Sequence, residues 1–400
     1  MACHTFIQNN EKIYCFGYND HGQLGHYQDP TVPNLLKLDG LVNRIVCNGF
    51  HTVILTTSNQ VYVFGYNGYG QLGLGHNTNQ HIPQLLKLDG LVNQIACGAY
   101  HTAILTTSNH LYVFGRNNYG QLGLGHKIDQ YIPQLLKLDG IIDQIVCGGH
   151  HTIISTISND VYVFGCNDYG QLGLGHNKDQ NTASLLKLDR LVGQISQIAC
   201  GRDHTIILTT SNQIYAFGRN ENGQLGLGHN KSQNIHQLLN LDKLVCQIAC
   251  GGYHTVILTT SNDVYVFGCN NYGQLGLGHY KDQNTPQLLK LDGIINQIVC
   301  GASHTMILTT SNDIYVFGCN NDDQLGLRYN YHNIPTLLPI QATNLMNNTL
   351  PIRWTPINHH RFPQKFRHQI LMLMLINKYF IRSDLKVPKF VCFEIIKKCL

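Results

Sequence analysis

Between residues 1 and 340, apolar and polar positions alternate with period two in short runs, and no useful length keeps helical spacing. Residues 101–149 show the pattern clearly. "HTAILTTSN", residues 101–109, predicts a strand rich in β-branched residues that runs into a Ser-Asn turn. "HLYVFG", residues 110–115, predicts a second strand that stops at glycine. The glycine-rich "NNYGQLGLGH" follows, and "IPQLLKLDGIIDQIVCGG", residues 132–149, then predicts two more strands arranged around the Asp139-Gly140 turn.

This grammar recurs about every fifty residues. The phrase "VYVFG" and its variants end at Gly17, Gly65, Gly115, Gly165, Gly218, Gly268 and Gly318, which marks seven units. Four short strands per unit, seven times over, predict an all-β fold: a seven-bladed β-propeller closed in a ring without long exposed edges. Helical solenoids of similar period fail on the strand alternation and the glycine density. Kelch propellers expect a tryptophan in each blade, but the single tryptophan here, Trp354, lies outside the repeats. The first unit begins directly at its "HT" strand, so the N-terminal strands are expected to join the last blade and close the ring.

Composition adds a division to this picture. Residues 351–400 hold ten Lys/Arg against Asp384 and Glu394, leaving 17 basic and 21 acidic side chains in residues 1–350. A mildly acidic body therefore carries a basic tail. The opening "MACHTFIQNN" has neither the basic start nor the apolar run of a secretory signal. Ile370 to Ile376, the most hydrophobic stretch, is far too short to span a bilayer. The expectation is a soluble monomer inside the cell, cytoplasmic or nuclear, with its fourteen cysteines reduced.

The order Pro-x-Leu-Leu-x-Leu, Gln-Ile-x-Cys-Gly-x-x-His-Thr, Val-Tyr-Val-Phe-Gly-x-Asn and Gly-Gln-Leu-Gly closely resembles the regulator of chromosome condensation repeat family. The resemblance covers residues 1–340 and implies a seven-bladed propeller. In two respects the chain departs from it. The aromatic before the strand-ending glycine, often tryptophan in the family, is phenylalanine in every unit: Phe16, Phe64, Phe114, Phe164, Phe217, Phe267 and Phe317. The seventh unit is degenerate, with Asp323 replacing the first glycine of Gly-Gln-Leu-Gly and Arg328 replacing Gly-His.

Six units carry a Cys-x3-His pair: Cys47/His51, Cys97/His101, Cys147/His151, Cys200/His204, Cys250/His254 and Cys300/His304. Structural zinc needs four protein ligands and catalytic zinc three, and nothing nearby supplies the remainder. Six repetitions predict scaffold, with cysteine as a small buried residue and histidine satisfying polar groups between blades. The second recurring histidine, at His26, His76, His126, His176, His229 and His279, is expected to close loops by hydrogen bonding. "YGQLGLGH" lacks the lysine or helix N-terminus that a phosphate cradle needs. Neither a catalytic site nor a cofactor or metal site is expected.

Function is expected where the units differ. One variable set lies between the Cys-Gly and the His: Gly49-Phe50, Ala99-Tyr100, Gly149-His150, Arg202-Asp203, Gly252-Tyr253 and Ala302-Ser303. The other follows Phe-Gly: Tyr18, Tyr66, Arg116, Cys166, Arg219, Cys269 and Cys319. Both belong to loops at an end of the ring, where aromatics and arginine suit protein binding. The predicted partner-binding residues are Tyr100, Arg116, Arg202, Asp203, Arg219 and Tyr253. The resemblance implies a second class, because the family's founding member is a guanine nucleotide exchange factor for a small nuclear GTPase. That member presents acidic residues at several of these positions and inserts a β-wedge. Here Asp203 alone is acidic at such a position, and the longest insertion, near Ile195–Gln197, is only three residues. The related plant UV-B photoreceptor depends on clustered tryptophans, so that role is not expected.

Residues 341–350 read as a polar linker or a worn last strand, and 351–400 as a small basic α-helical extension in which Phe366, Ile370, Leu373 and Ile376 share one face. The end of the chain resembles the start of an F-box, as found truncated at the C-termini of ankyrin proteins of large DNA viruses. The resemblance is carried by Val387-Pro388 with Val391, Phe393, Ile395, Ile396 and Leu400. It implies docking on a ubiquitin-ligase adaptor through Pro388 and those apolar anchors, with the propeller choosing the target. A two-helix cap on the last blade is the structural alternative, and specific nucleic-acid binding is not expected. The overall expectation is a non-enzymatic protein-interaction scaffold, with GTPase exchange as the alternative.

Overall fold

The computed structural model describes residues 4–9, 11–188, 193–327 and 330–340, and the backbone of 344–346. These residues form seven four-stranded antiparallel sheets. The third sheet is typical: Val92–Cys97 lies innermost, His101–Thr106 and Leu111–Gly115 follow, and Gln130–Leu136 lies outermost. Burial is complete in the second strand, His101–Thr106, and least in the outermost, Gln130–Leu136, where only Leu136 is buried.

The strands occur where the alternation predicts them, and the structure adds how they pair. The strands flanking Asp139-Gly140 are not a hairpin. Gln130–Leu136 pairs with Leu111–Gly115, whereas Ile142–Cys147 pairs with His151–Thr156 of the next sheet. The Asp-Gly turn therefore crosses between blades. Each sequence unit supplies three strands to one blade and the innermost strand to the next.

Ring closure uses this offset. The first sheet combines His4–Asn9, Lys12–Gly17 and Asn34–Leu35 with Asn344–Met346, which pairs antiparallel with the first strand (Phe6↔Met346, Gln8↔Asn344). Of the two readings of residues 341–350, the worn strand accounts for Asn344–Met346. The N-terminal strands and the end of the repeat region thus share one blade.

The apolar core is distributed between blades. Val113, Leu122 and Leu136 of one blade pack with Ile145, Ile154 and Phe164 of the next, and Ile7 and Phe16 pack with Val316, Leu325 and Leu338 across the closure. All seven Phe-Gly phenylalanines are fully buried. They explain the second glycine of Gly-Gln-Leu-Gly: Gly123 has φ +70°, and a Cβ there would lie 3.0 Å from the Phe164 ring of the next blade. The first glycine is crowded as well, since a Cβ on Gly120 would lie 2.3 Å from Asn181 Cα on the next outer strand. Asp323 takes this place in the seventh unit at φ 57°, where the following outer strand is only Asn34–Leu35. The short strand leaves room for a side chain, and aspartate tolerates the left-handed conformation.

No helix occurs among the described residues. The predicted helical extension, and with it Pro388, Val391, Phe393, Ile395, Ile396 and Leu400, lies outside them.

Candidate protein-binding face

The recurring Cys and His are scaffold, and they point to opposite neighbours. Cys97 Sγ is 3.8 Å from the Val46 carbonyl oxygen of the preceding blade, whereas His101 Nε2 is 2.9 Å from Thr152 Oγ1 of the following one. Thr152 Oγ1 in turn donates to the Gln121 carbonyl at 2.9 Å. The same relay joins His4–Thr52, His51–Thr102, His151–Thr205, His204–Thr255 and His254–Thr305. A threonine hydroxyl has one proton, and the glutamine carbonyl takes it. The histidine must therefore donate from Nε2, which leaves Nδ1 as the unprotonated nitrogen of a neutral ring. Nδ1 of His4, His51, His101, His151, His204, His254 and His304 is buried with no hydrogen-bond partner among the described residues. Burial pushes the thiols of Cys47 and Cys147 up to about 12, away from the thiolate a metal would need.

The second histidine closes loops, as expected. His76 Nδ1 accepts from the Thr78 N–H at 3.2 Å, and the His76 carbonyl accepts from Asn67 Nδ2 at 2.8 Å. Asn67 Oδ1 accepts from the Leu72 N–H at 2.9 Å, so one fully buried asparagine shapes the Gly-Gln-Leu-Gly loop.

The two variable sets meet in six blades. The N–H that follows Phe-Gly donates to the carbonyl just before the His: Tyr66 to Phe50 and Cys269 to Tyr253 at 2.8 Å, Arg116 to Tyr100 and Cys166 to His150 at 2.9 Å, and Arg219 to Asp203 and Cys319 to Ser303 at 2.8 Å. Nearer the axis the loops bond to one another: Ala99 N–H to the Gly149 carbonyl at 3.0 Å, Gly149 to Arg202 at 3.0 Å, Arg202 to Gly252 at 3.1 Å, and Gly252 to Ala302 at 2.8 Å. These bonds gather both sets onto one end of the ring.

All six predicted residues lie on this face, in two clusters. In the first, Tyr100 packs against Phe50 (5.9 Å between ring centroids), Tyr66 (6.0 Å), Tyr69 (5.4 Å) and, stacked, His150 (5.9 Å). The Arg116 guanidinium carbon lies 4.7, 5.6 and 5.7 Å from the rings of Tyr69, Tyr100 and Tyr119. In the second cluster, Arg219 lies 4.6 Å from the Tyr169 ring and 5.0 Å from Tyr253, and Arg202 lies 5.7 Å from Tyr253. Asp203 pairs with Arg202 at 3.8 Å and Arg219 at 3.7 Å, and Arg219 Nε donates to Glu221 Oε2 at 2.8 Å. The clusters meet at His150, which burial and the charges of Arg116 and Arg202 hold down at about 4. Burial holds the Asp203 carboxyl above its ordinary range despite both arginines.

The sequence reading missed Tyr69, Tyr119 and Tyr169. They belong to the repeated "N-x-Y-G-Q-L-G" phrase and so read as scaffold, yet their rings carry the arginines. Their replacement by His21, Asn222 and Asp322 in other units was the available signal. At the opposite end, an exposed Leu or Ile precedes the inner strand in several blades (Leu41, Leu91, Ile141, Leu244, Ile294), so that end varies little. Cys166, Asp168 and Asp179 bring three donor atoms within 4.8 Å of one another. Asp179 is already engaged by the Asn167 N–H at 3.0 Å and by Lys127 at 3.3 Å, and burial pushes the Cys166 thiol up to about 12.

A closed ring of seven four-stranded sheets, with the repeated residues buried between blades and the variable loops gathered at one end, defines a seven-bladed β-propeller. Family models agree with the repeat read from the sequence. The RCC1-like domain matches residues 2–192, and two models of the regulator of chromosome condensation (RCC1) repeat match 211–258 and 261–308, and 195–224, 245–274 and 295–324. The chain belongs to the RCC1 repeat family. Among curated relatives, human protein RCC2 is 54% identical over 35 residues, which is 9% of this chain and 7% of RCC2. The Arabidopsis thaliana ultraviolet-B receptor UVR8 is 37% identical over 46 residues, 12% of this chain and 10% of UVR8. The matched stretches thus cover about a tenth or less of these relatives' length. The solved structure of human WBSCR16 superimposes with a TM-score of 0.76 at 24% identity, covering 84% of this chain and 96% of that one. Saccharomyces cerevisiae Prp20p, described with its binding to Gsp1p and histones, gives 0.74 at 21% identity, covering 85% and 88%. At these identities the likeness is one of fold.

Proposed function

We propose that this chain is a non-enzymatic recognition propeller that holds a protein partner against the Tyr–Arg face. The observation that carries this reading is the separation of roles: repeated residues are buried between blades, while the variable residues Phe50, Tyr66, Tyr100, Arg116, Arg202, Arg219 and Tyr253 share one end. Rigid aromatics and stacked arginines are the side chains that dominate interface energies, because they bury large areas with little loss of rotamer freedom. In this reading residues 351–400 deliver the bound protein to ubiquitin-ligase machinery through Pro388 and the apolar residues after it. The site of action is inside the cell, in the cytoplasm or nucleus.

Affinity capture with the full chain and with a chain ending at residue 350 tests both parts. The closing strand Asn344–Met346 lies upstream of that cut, so the shortened ring is expected to keep its thermal midpoint. Target proteins are expected to stay bound, and ligase components to be lost. If the same ligase components remain, the tail has no adaptor role. Replacing Tyr100 and Tyr253 by alanine together is expected to release the targets, at a cost of about 2 kcal/mol or more in binding.

The alternative reading, exchange on a small GTPase, draws on the fold shared with Prp20p. The only acid in the two variable sets, Asp203, is paired with Arg202 and Arg219 and so is poorly placed to meet a partner's cations. No stimulated nucleotide release is expected across a panel of small GTPases. Stimulated release from any member would replace the scaffold reading.

A further inference from the structure

Three arginines occupy the face, and two of them have counter-charges. Arg202 and Arg219 share Asp203, and Arg219 also holds Glu221. Arg116 has no carboxylate partner among the described residues. Its half-buried guanidinium lies against Tyr69, Tyr100 and Tyr119, beside the Tyr100–His150 stack. None of those neighbours carries a negative charge.

We infer that Arg116 is an anion-recognition point that accepts a carboxylate from an acidic segment of the partner protein; this rests on the recognition reading above. A guanidinium laid against aromatic rings leaves its N–H edges available, and its plane is already oriented. A carboxylate can then bind through two parallel N–H···O bonds with little further ordering. The setting strengthens the contact, because a half-buried charge surrounded by rings is screened less than an exposed one. The neighbouring phenols add O–H donors for an oxygen-rich group. Aromatic and aliphatic residues flanking the acid would rest on Phe50 and Tyr66.

Charge selects a protein segment over nucleic acid. A strand of phosphates is held by a run of cations along its path. On this face Arg116 lacks a carboxylate partner among the described residues, and Asp203, Glu221 and the nearby Asp168 would repel a continuous polyanion. One or two acids in an otherwise apolar segment fit; a polyphosphate backbone does not.

The test selects a random peptide library on the immobilised full chain and measures recovered peptides by fluorescence anisotropy. Sequences enriched in Asp or Glu beside apolar residues are expected. Arg116→Gln should weaken them about tenfold or more, as loss of a charged hydrogen bond implies. Replacing the peptide's acid with its amide should do the same, and the two changes together should cost little more than either alone. Lys281→Gln, on the exposed rim, should change nothing, and an oligo-dT strand should compete poorly. Unchanged melting of Arg116→Gln establishes that the fold is intact. Recovery of only neutral or basic peptides, undiminished binding to Arg116→Gln, or preferential binding of the oligonucleotide overturns the assignment. If peptides bind and are lost with Tyr100→Ala but not with Arg116→Gln, the recognition face stands and the carboxylate assignment falls. If no peptide and no protein is captured, both fall.

Discussion

Below about pH 6 the propeller is expected to lose stability steeply, and to unfold by about pH 5. The cause is the inter-blade histidine relay. Burial holds His4, His51, His151, His204 and His254 at about 3 and His304 at about 4, and drives His101 well down. A proton added at Nδ1 would have no acceptor among the described residues, and His4, His51, His101, His151, His204 and His254 could not turn without losing their threonines. In the unfolded chain these histidines titrate near 6.5. Between the two values the unfolded state binds more protons, so stability is full above about pH 6.5 and falls as pH drops. Each histidine costs about 1.4 kcal/mol per pH unit in that window, hence about 2 kcal/mol at pH 5. Seven together approach 14 kcal/mol, comparable to the whole stability of an ordinary domain at about 5–15 kcal/mol. Denaturant titrations across pH, with calorimetric proton uptake near pH 5.5, measure it directly. About seven protons should be taken up on unfolding. A stability that stays level from pH 7 to pH 4.5 would exclude the relay as its cause.

A second large effect is expected at the glycine of Cys-Gly-x-x-His. A Cβ on Gly98 would lie 2.0 Å from His101 Cε1 and 2.2 Å from Nδ1, so Gly98→Asn should displace the ring and break the His101–Thr152 bond. The expected cost is about 2–4 kcal/mol, from overpacking together with a buried hydrogen bond lost. The second blade already contains the compensated version. There Asn48 extends the inner strand to pair with His51, its amide donates to the Cys97 carbonyl at 3.2 Å, and the glycine has moved to Gly49 at φ 66°. His51 still reaches Thr102 at 2.9 Å. Adding Ala99→Gly to Gly98→Asn should therefore recover about half of the loss, read as the coupling term of a double-mutant cycle in urea. A neutral Gly98→Asn, or a double variant no better than the single one, would mean the ring does not depend on that glycine.

These two cases show what kind of information the chain carries locally. Alternation identifies "HTAILT" as a buried strand, because period two reports which residues face a core. Six copies of Cys-x3-His identify scaffold, because buried identical residues answer identical surroundings. Neither pattern could show that cysteine turns to the previous blade and histidine to the next. The Asp139-Gly140 turn has the same limit: the two strands around it are legible, but an Asp-Gly pair between two apolar runs does not say whether they pair with each other, and only the neighbouring sheet makes it a crossing.

The candidate face divides in the same way. Variation between units singled out Tyr100, Arg116, Arg202, Asp203, Arg219 and Tyr253, but it passed over Tyr69, Tyr119 and Tyr169, whose repetition hid them. By itself the sequence determined the strand content, the seven-fold repeat, the buried phenylalanines and the positions free to vary, since each depends on residue type and short spacing. Tertiary structure alone decided which strands share a blade and how the ring closes through Asn344–Met346. It also decided that two loop sets form one surface and that Arg116 lies on tyrosines with no carboxylate partner among the described residues. These depend on hydrogen bonds and ring contacts between separate strands and loops, from about 16 positions apart within a blade to about fifty between neighbouring blades and more than three hundred at the closure, which no local pattern of side chains records.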